Sequence, residues 1–245
     1  MLNAIKSEWT KMTTIRSYYI TLGVIILAAL APIWFIADTY EELPVLAGSY
    51  LYAFYGSIGA IAVVIISGLM VTGEYRYNEI TNTFLTTPKR WKPMVAKTIV
   101  ASLVSMALCL VIHYAGAAIF ALRGIDMSFF FDGESTKIIA LTVVGTIPLV
   151  MVTQALGWLT RSTAIANTIM IVMVLGIDNL LGLIPKVGEF IHPYLLMNNL
   201  KIVWSNGSVG SLMEEPNMSK AVMIVLVWLI VAVTAAVVTV YERDA

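Results

Sequence analysis

From Lys220 to Tyr241 the chain carries no charge inside, and this is the last of six long apolar stretches. A helix needs about 20 mostly apolar residues to cross the hydrocarbon core of a bilayer, because each residue advances it by about 1.5 Å. The six stretches lie at roughly 18–37, 50–72, 94–121, 137–159, 163–182 and 219–241. They predict an all-α integral membrane protein with six transmembrane helices, in one domain spanning residues 1–245. The third stretch is long enough to tilt or to project beyond the bilayer. The fifth is the shortest and holds Asn167, Asp178 and Asn179.

Composition supports that class. Of the 245 residues, 59% are hydrophobic and 12% charged, whereas a soluble domain carries about 25% charged residues. Net charge is zero, so nothing suggests a nucleic-acid partner. Cys109 is the single cysteine, which excludes an intrachain disulfide and cysteine metal motifs. Ala29-Leu30-Ala31 resembles a signal cleavage site, but the apolar region is too long, Glu8 precedes it and Pro32 follows it. The first helix is therefore expected to remain in the protein.

Lys and Arg in the loops set the orientation. With the N-terminus inside, Lys6, Lys11, Arg16, Arg76, Lys89, Arg90, Lys92, Lys97, Arg161 and Arg243 lie on the inner side. Only Arg123, Lys137, Lys186, Lys201 and Lys220 lie outside. Most acidic residues fall on the outer side. Both termini are then cytoplasmic.

Four segments outside the spans carry information. In residues 1–17, Leu2, Ile5, Trp9 and Met12 recur at helical spacing, with Lys6, Ser7, Thr10 and Thr14 largely elsewhere. This predicts an amphipathic helix lying in the membrane interface; the alternative is a positive leader that only sets topology. The inner loop 73–93 is longer than a turn needs. Its Tyr77, Ile80 and Phe84 are spaced three and four apart, which predicts an apolar ridge, with Glu74, Arg76, Asn78, Glu79 and Asn82 around it. Pro88 should close the segment, and Lys89, Arg90, Trp91 and Lys92 suit the head-group level. A helix of this kind is a candidate docking element for a soluble partner; a helix resting on lipid is the alternative. The outer loop 122–136 sets Phe129, Phe130 and Phe131 beside Asp132 and Glu134. The outer segment 183–218 contains Pro185 and His192-Pro193, which suggests a broken hairpin dipping into the outer leaflet. An ordinary extracellular loop is the other reading.

Chemistry is sparse. No G-x-x-x-x-G-K-[ST], H-E-x-x-H or G-x-S-x-G occurs, and the only histidines are His113 and His192. Ser102 and Ser105 precede His113 on one helix but not within a turn of it. No buried carboxylate near a span's midpoint suggests a proton-driven carrier. Ser57, Gly59, Ala60, Ala62, Gly116, Ala117 and Ala118 offer close helix contact, within the chain or with another.

Gly73-Glu74-Tyr75-Arg76, then Ile80, Thr83, Leu85, Pro88, Arg90 and Lys97, resembles the permease subunits of ABC-2 type transporters. Asn78-Glu79 and Phe84 depart from that family's usual pattern. The resemblance implies that two permeases, identical or different, form the membrane pathway. Two ATPase subunits would bind below them, holding the ATP and Mg. It implies an elbow helix at residues 1–17 (Leu2, Ile5, Trp9, Met12) and a coupling helix in 73–93. On that helix Tyr77, Ile80 and Phe84 would give apolar contact, and Glu74, Arg76 and Glu79 polar contact. Replacing Ile80 and Phe84 by Asp should then uncouple the ATPase while leaving insertion intact. Export of an amphipathic drug, peptide antibiotic or lipid across a bacterial plasma membrane is the expected activity, with no enzyme or cofactor site in this chain. A stand-alone secondary carrier and a membrane anchor or sensor are the competing readings.

Overall fold

The computed structural model describes residues 1–39, 58–87, 89–124, 131–177, 180–181, 184–207 and 217–242. Among them every regular element is helical: α1 (Leu2–Thr14), α2 (Arg16–Thr39), α3 (Ala60–Arg76), α4 (Ile80–Thr86), α5 (Trp91–Leu122), α6 (Gly133–Thr160), α7 (Thr163–Val172), α8 (Val187–Ile191), α9 (Leu196–Trp204) and α10 (Met218–Glu242). Among the described residues four helices are long and apolar enough to cross a membrane, at Tyr18–Phe35 in α2 and in α5, α6 and α10.

The exposed surface of these helices is the wrong one for water. Ile20, Leu27 and Phe35 of α2 and Met223, Ile230 and Val231 of α10 are all more than half exposed. Apolar surface on that scale requires a nonpolar solvent, which makes this a membrane-embedded protein. The span windows in α2 and α10 are each 17% buried inside the protein, against 56% in α6. α6 is accordingly the central helix, packed against α3, α5, α7, α9 and α10, with α2 and α10 on the rim.

Without a hydrophobic drive between helices in lipid, close backbone approach has to supply contact. Three glycines do so. A Cβ on Gly68 would lie 1.8 Å from Asn167 Oδ1, and one on Gly145 would lie 2.1 Å from Trp204 Nε1. Gly157 rests against Val71 and Thr72, where an added Cβ would meet side-chain atoms at 3.2 Å. The sequence reading pointed instead to Gly59, which has open space beside it, and to Ala118, which is exposed. Ala60, Ala62, Gly116 and Ala117 are buried as expected, and Ser57 lies outside the described residues.

The other two expected spans are described in part or broken. Only residues from 58 onward of stretch 50–72 are described, and there α3 continues to Arg76. The fifth stretch forms α7 and then a π-helical turn, Met173–Ile177, broken at Gly176 with φ +106°. That left-handed conformation suits only a residue without a Cβ. Asp178 and Asn179 lie outside the described residues.

Caps define both ends of α6. Asp132 Oδ1 accepts from Ser135 N at 2.7 Å and starts α6. Arg161 ends it at φ 52°, its N–H donating to Gly157 O at 2.9 Å. The segment expected to be broken, 183–218, consists in its described part of α8, a 3₁₀ turn His192–Tyr194 and α9. Asn199 Nδ2 donates to Pro193 O at 2.9 Å and to Leu195 O at 2.7 Å, satisfying carbonyls at that break. Trp228 of α10 donates to Tyr194 O at 2.9 Å. Of the phenylalanine run, Phe131 is exposed and Phe129 and Phe130 lie outside the described residues.

Candidate functional site

Four of the chain's charges converge at the end of the bundle that holds α1, the 73–93 segment and the α6–α7 turn. Glu8 and Lys11 stand three apart on one face of α1. Glu74 sits in the last turn of α3, and Lys97 lies two turns into α5. Lys97 Nζ donates to Glu8 Oε2 at 2.6 Å and to Glu74 Oε1 at 2.7 Å. Lys11 Nζ donates to Glu8 Oε1 at 3.1 Å and also to Glu74 Oε1. Lys97 is 1% exposed and both glutamates 5%, while the Lys11 side chain keeps 36%.

Two acids and two bases balance at a site where Glu8, Glu74 and Lys97 are buried and Lys11 alone reaches the surface. Such a cluster is costly to desolvate and costly to break, because removing one member strands a buried charge. Burial alone would lower the Lys11 ammonium pKa, but the hydrogen bond and charge of Glu74, with Glu8 behind them, raise it above its usual range. Glu74 lies beyond the expected span end at residue 72. Burial would raise its pKa, yet Lys97 and Lys11 together hold it below the ordinary carboxylate value.

A second contact set lies on the opposite side of the 73–93 segment. Trp158, 2% exposed, stacks on Phe84 with ring centroids 6.4 Å apart and an interplanar angle of 28°. It also meets Tyr75 edge-on at 6.0 Å. Arg161 lies 5.2 Å from the Tyr75 ring centroid, and Arg90 5.5 Å from that of Phe84. Arg90 Nη1 also donates to Val240 O at 2.6 Å, satisfying one of the carbonyls left open at the end of α10. Ile80 is buried with Val71, Met94, Ala155, Trp158, Ala236 and Val240.

These placements correct the expected ridge. The chain leaves the helix at Tyr77–Glu79, with Asn78 at φ 55°, and α4 starts only at Ile80. Tyr77 is therefore out of phase with Ile80 and Phe84. Ile80 is buried, Phe84 is half-buried on Trp158, and Glu74 faces the lysines. The surface that remains open consists of Arg76, Tyr77, Asn78, Glu79, Thr81, Asn82 and Leu85. Tyr77 is 69% exposed and Leu85 74%. Arg76 lies 5.7 Å from the Tyr77 ring centroid. A cleft of about 320 Å³ separates this surface from α1, lined by Ser7, Glu8 and Lys11 on one side and Glu79, Asn82 and Thr83 on the other. Pro88 lies outside the described residues, but Thr87 before it is non-helical, at φ −129° and ψ 86°.

α1 is helical as expected, with Leu2 and Trp9 exposed, Ile5 half-buried and Met12 buried. Glu8 and Lys11 entered the sequence reading only as topology signals and Lys97 also as a residue of the resemblance; none was expected to pair with another, and Trp158 was not singled out. A usable signal existed for the charges: Glu8, Glu74 and Glu79 are acids on the basic side, and Lys97 falls inside the third apolar stretch. Nothing in the sequence pointed to Trp158 as the partner of Phe84.

Elsewhere, His113 is buried edge-on to Tyr114 at 5.5 Å, and His192 is buried in the 3₁₀ turn of the 183–218 segment. Among the described residues no three His, Cys, Asp or Glu side chains converge as metal ligands. No protein-family model matches the chain, and no curated protein is detectably similar to it.

Proposed function

We propose that this chain is the permease subunit of an ABC-2 type exporter, driven by separate ATPase subunits. The observation that carries the reading is the two-sided character of residues 73–87. Their inner face meets α1 and α5 through Glu74, α6 through Tyr75 and Phe84 on Trp158, and α10 through Ile80 in its apolar cluster. Their outer face leaves Tyr77 and Leu85 in the open among Arg76, Glu79 and Asn82. Such an element is suited to receive force from a soluble partner and pass it to membrane helices. Glu74, Tyr75, Arg76, Ile80 and Leu85, which carry the resemblance to the ABC-2 coupling segment, are among the residues that build it.

In this reading α1 is the elbow helix resting at the inner interface, where exposed Leu2 and Trp9 meet lipid. The chain crosses six times, with both termini in the cytoplasm of a bacterial cell, and segment 183–218 re-enters the outer leaflet. Two copies, or this chain and a paralogue, enclose the pathway. The partner ATPases bind the ATP and Mg, and their closure pushes on the foot formed by residues 73–87. Apolar and aromatic walls suit an amphipathic drug, peptide antibiotic or lipid better than an ion.

The test is capture from native membranes with a tagged chain. The reading expects a P-loop ATPase in the complex, and it expects Tyr77→Asp/Leu85→Asp to lose that ATPase while the chain stays folded. Substrate transport by the purified chain without any ATPase would favour a stand-alone carrier.

A further inference from the structure

Three buried charges and the half-exposed Lys11 join three elements that are far apart in the sequence. Lys97 of α5 bridges Glu8 of α1 and Glu74 of α3 at 2.6 and 2.7 Å. Lys11 of α1 bridges the same two carboxylates and reaches Thr83 of α4 at 3.4 Å. Each lysine therefore serves both acids, and each acid serves both lysines. Separating α1, the base of α5 and the end of α3 is costly, because it strands Lys97 or one of the two glutamates, all of them buried. The contacts of Phe84 and Ile80 to α6 and α10 are apolar and can slide at less cost. The structure thus offers a stiff joint on one side of the foot and a softer one on the other.

We infer that Lys97 is a positioning residue that locks α1, the foot and the base of α5 into one rigid lever, with Lys11 as its pin on the solvent side. Displacement of the foot then carries α1 and α5 with it, while α6 and α10 are the surfaces the lever moves against. The role assigned to this lever rests on the reading of residues 73–87 as the force-receiving foot. Its rigidity does not, and can be measured on the chain alone.

The experiment is hydrogen exchange on the purified full-length chain in lipid nanodiscs. Lys97→Gln should raise exchange by about tenfold or more in both 2–14 and 77–87, with 163–172 unchanged, as for one cooperative unit opening. Lys97→Arg, which keeps the charge, should stay within about twofold of the parent. If Lys97→Gln does not fold, Lys11→Met at the half-exposed position should raise exchange in the same two segments together. Loosening of only one segment, of neither, or of 163–172 as well would overturn the inference. So would an Arg variant that behaves like Gln. Failure to capture an ATPase with this joint intact would count against the proposed function and leave the joint standing.

Discussion

Trp158→Ala tests the packing that ties the foot to the central helix. The indole is 2% exposed and touches Phe84, Tyr75 and the cluster around Ile80. Truncating a buried Trp typically costs about 3–5 kcal/mol, including the void that is left. The two aromatic contacts account for about 0.5–1.5 kcal/mol each within that total. For a chain of this length, 1 kcal/mol moves the melting temperature by about 2–4 °C, so the expected loss is about 6–20 °C. Trp158→Phe, which keeps a ring against Phe84, should lose well under half of this. Trp9→Ala is the control: Trp9 is 48% exposed, and its loss should cost no more than about 0.5 kcal/mol. Cys109, part-buried in α5, supplies the assay, since a thiol-reactive dye reports its exposure as the bundle opens. The reasoning fails if Trp158→Ala melts within about 2 °C of the parent, or if Trp9→Ala loses as much.

Three further predictions follow from the same geometry. Ile80→Asp/Phe84→Asp should abolish the folded monomer in detergent, because it drives charge into an apolar cluster, whereas Tyr77→Asp/Leu85→Asp should melt within about 2 °C of the parent by the same assay. Gly145→Ala should cost about 1–3 kcal/mol in thermal unfolding, since its Cβ cannot coexist with the Trp204 indole as placed. In acid, the Glu74 contribution, with Lys11 and Lys97 facing it and Glu8 beside them, is complete above its ordinary value of 4.5 and lost as pH falls through its depressed folded value. The parent should therefore destabilise more steeply below pH 4.5 than Glu74→Gln, read as melting temperature against pH.

Long apolar helices announce themselves by hydropathy alone; α2, α5, α6 and α10 were all legible for that reason. α7 was harder. Its apolar run continues past the point where Gly176 turns the backbone, and hydropathy cannot register a φ angle. The foot was half legible. Spacing alone made Tyr77, Ile80 and Phe84 one ridge, but periodicity presumes an unbroken helix, and the turn at Asn78 shifts the phase. The charge cluster was invisible to a search within single segments, since Glu8, Glu74 and Lys97 meet only after α1, α3 and α5 pack. Acids stranded on the basic side are the kind of trace such a cluster leaves. The packing glycines were missed because composition marks small residues, while only the fold decides which of them a neighbour presses against.

The central claim is that residues 73–87 sit in the cytoplasm against a nucleotide-hydrolysing partner. A photo-crosslinking amino acid at Leu85, in cells expressing the full chain, addresses both parts at once, with position 169 on the outward face of α7 as the control. The account predicts that Leu85 captures a cytoplasmic P-loop ATPase and that position 169 does not. Crosslinks from Leu85 only to lipid or to proteins on the outer side of the membrane would contradict it.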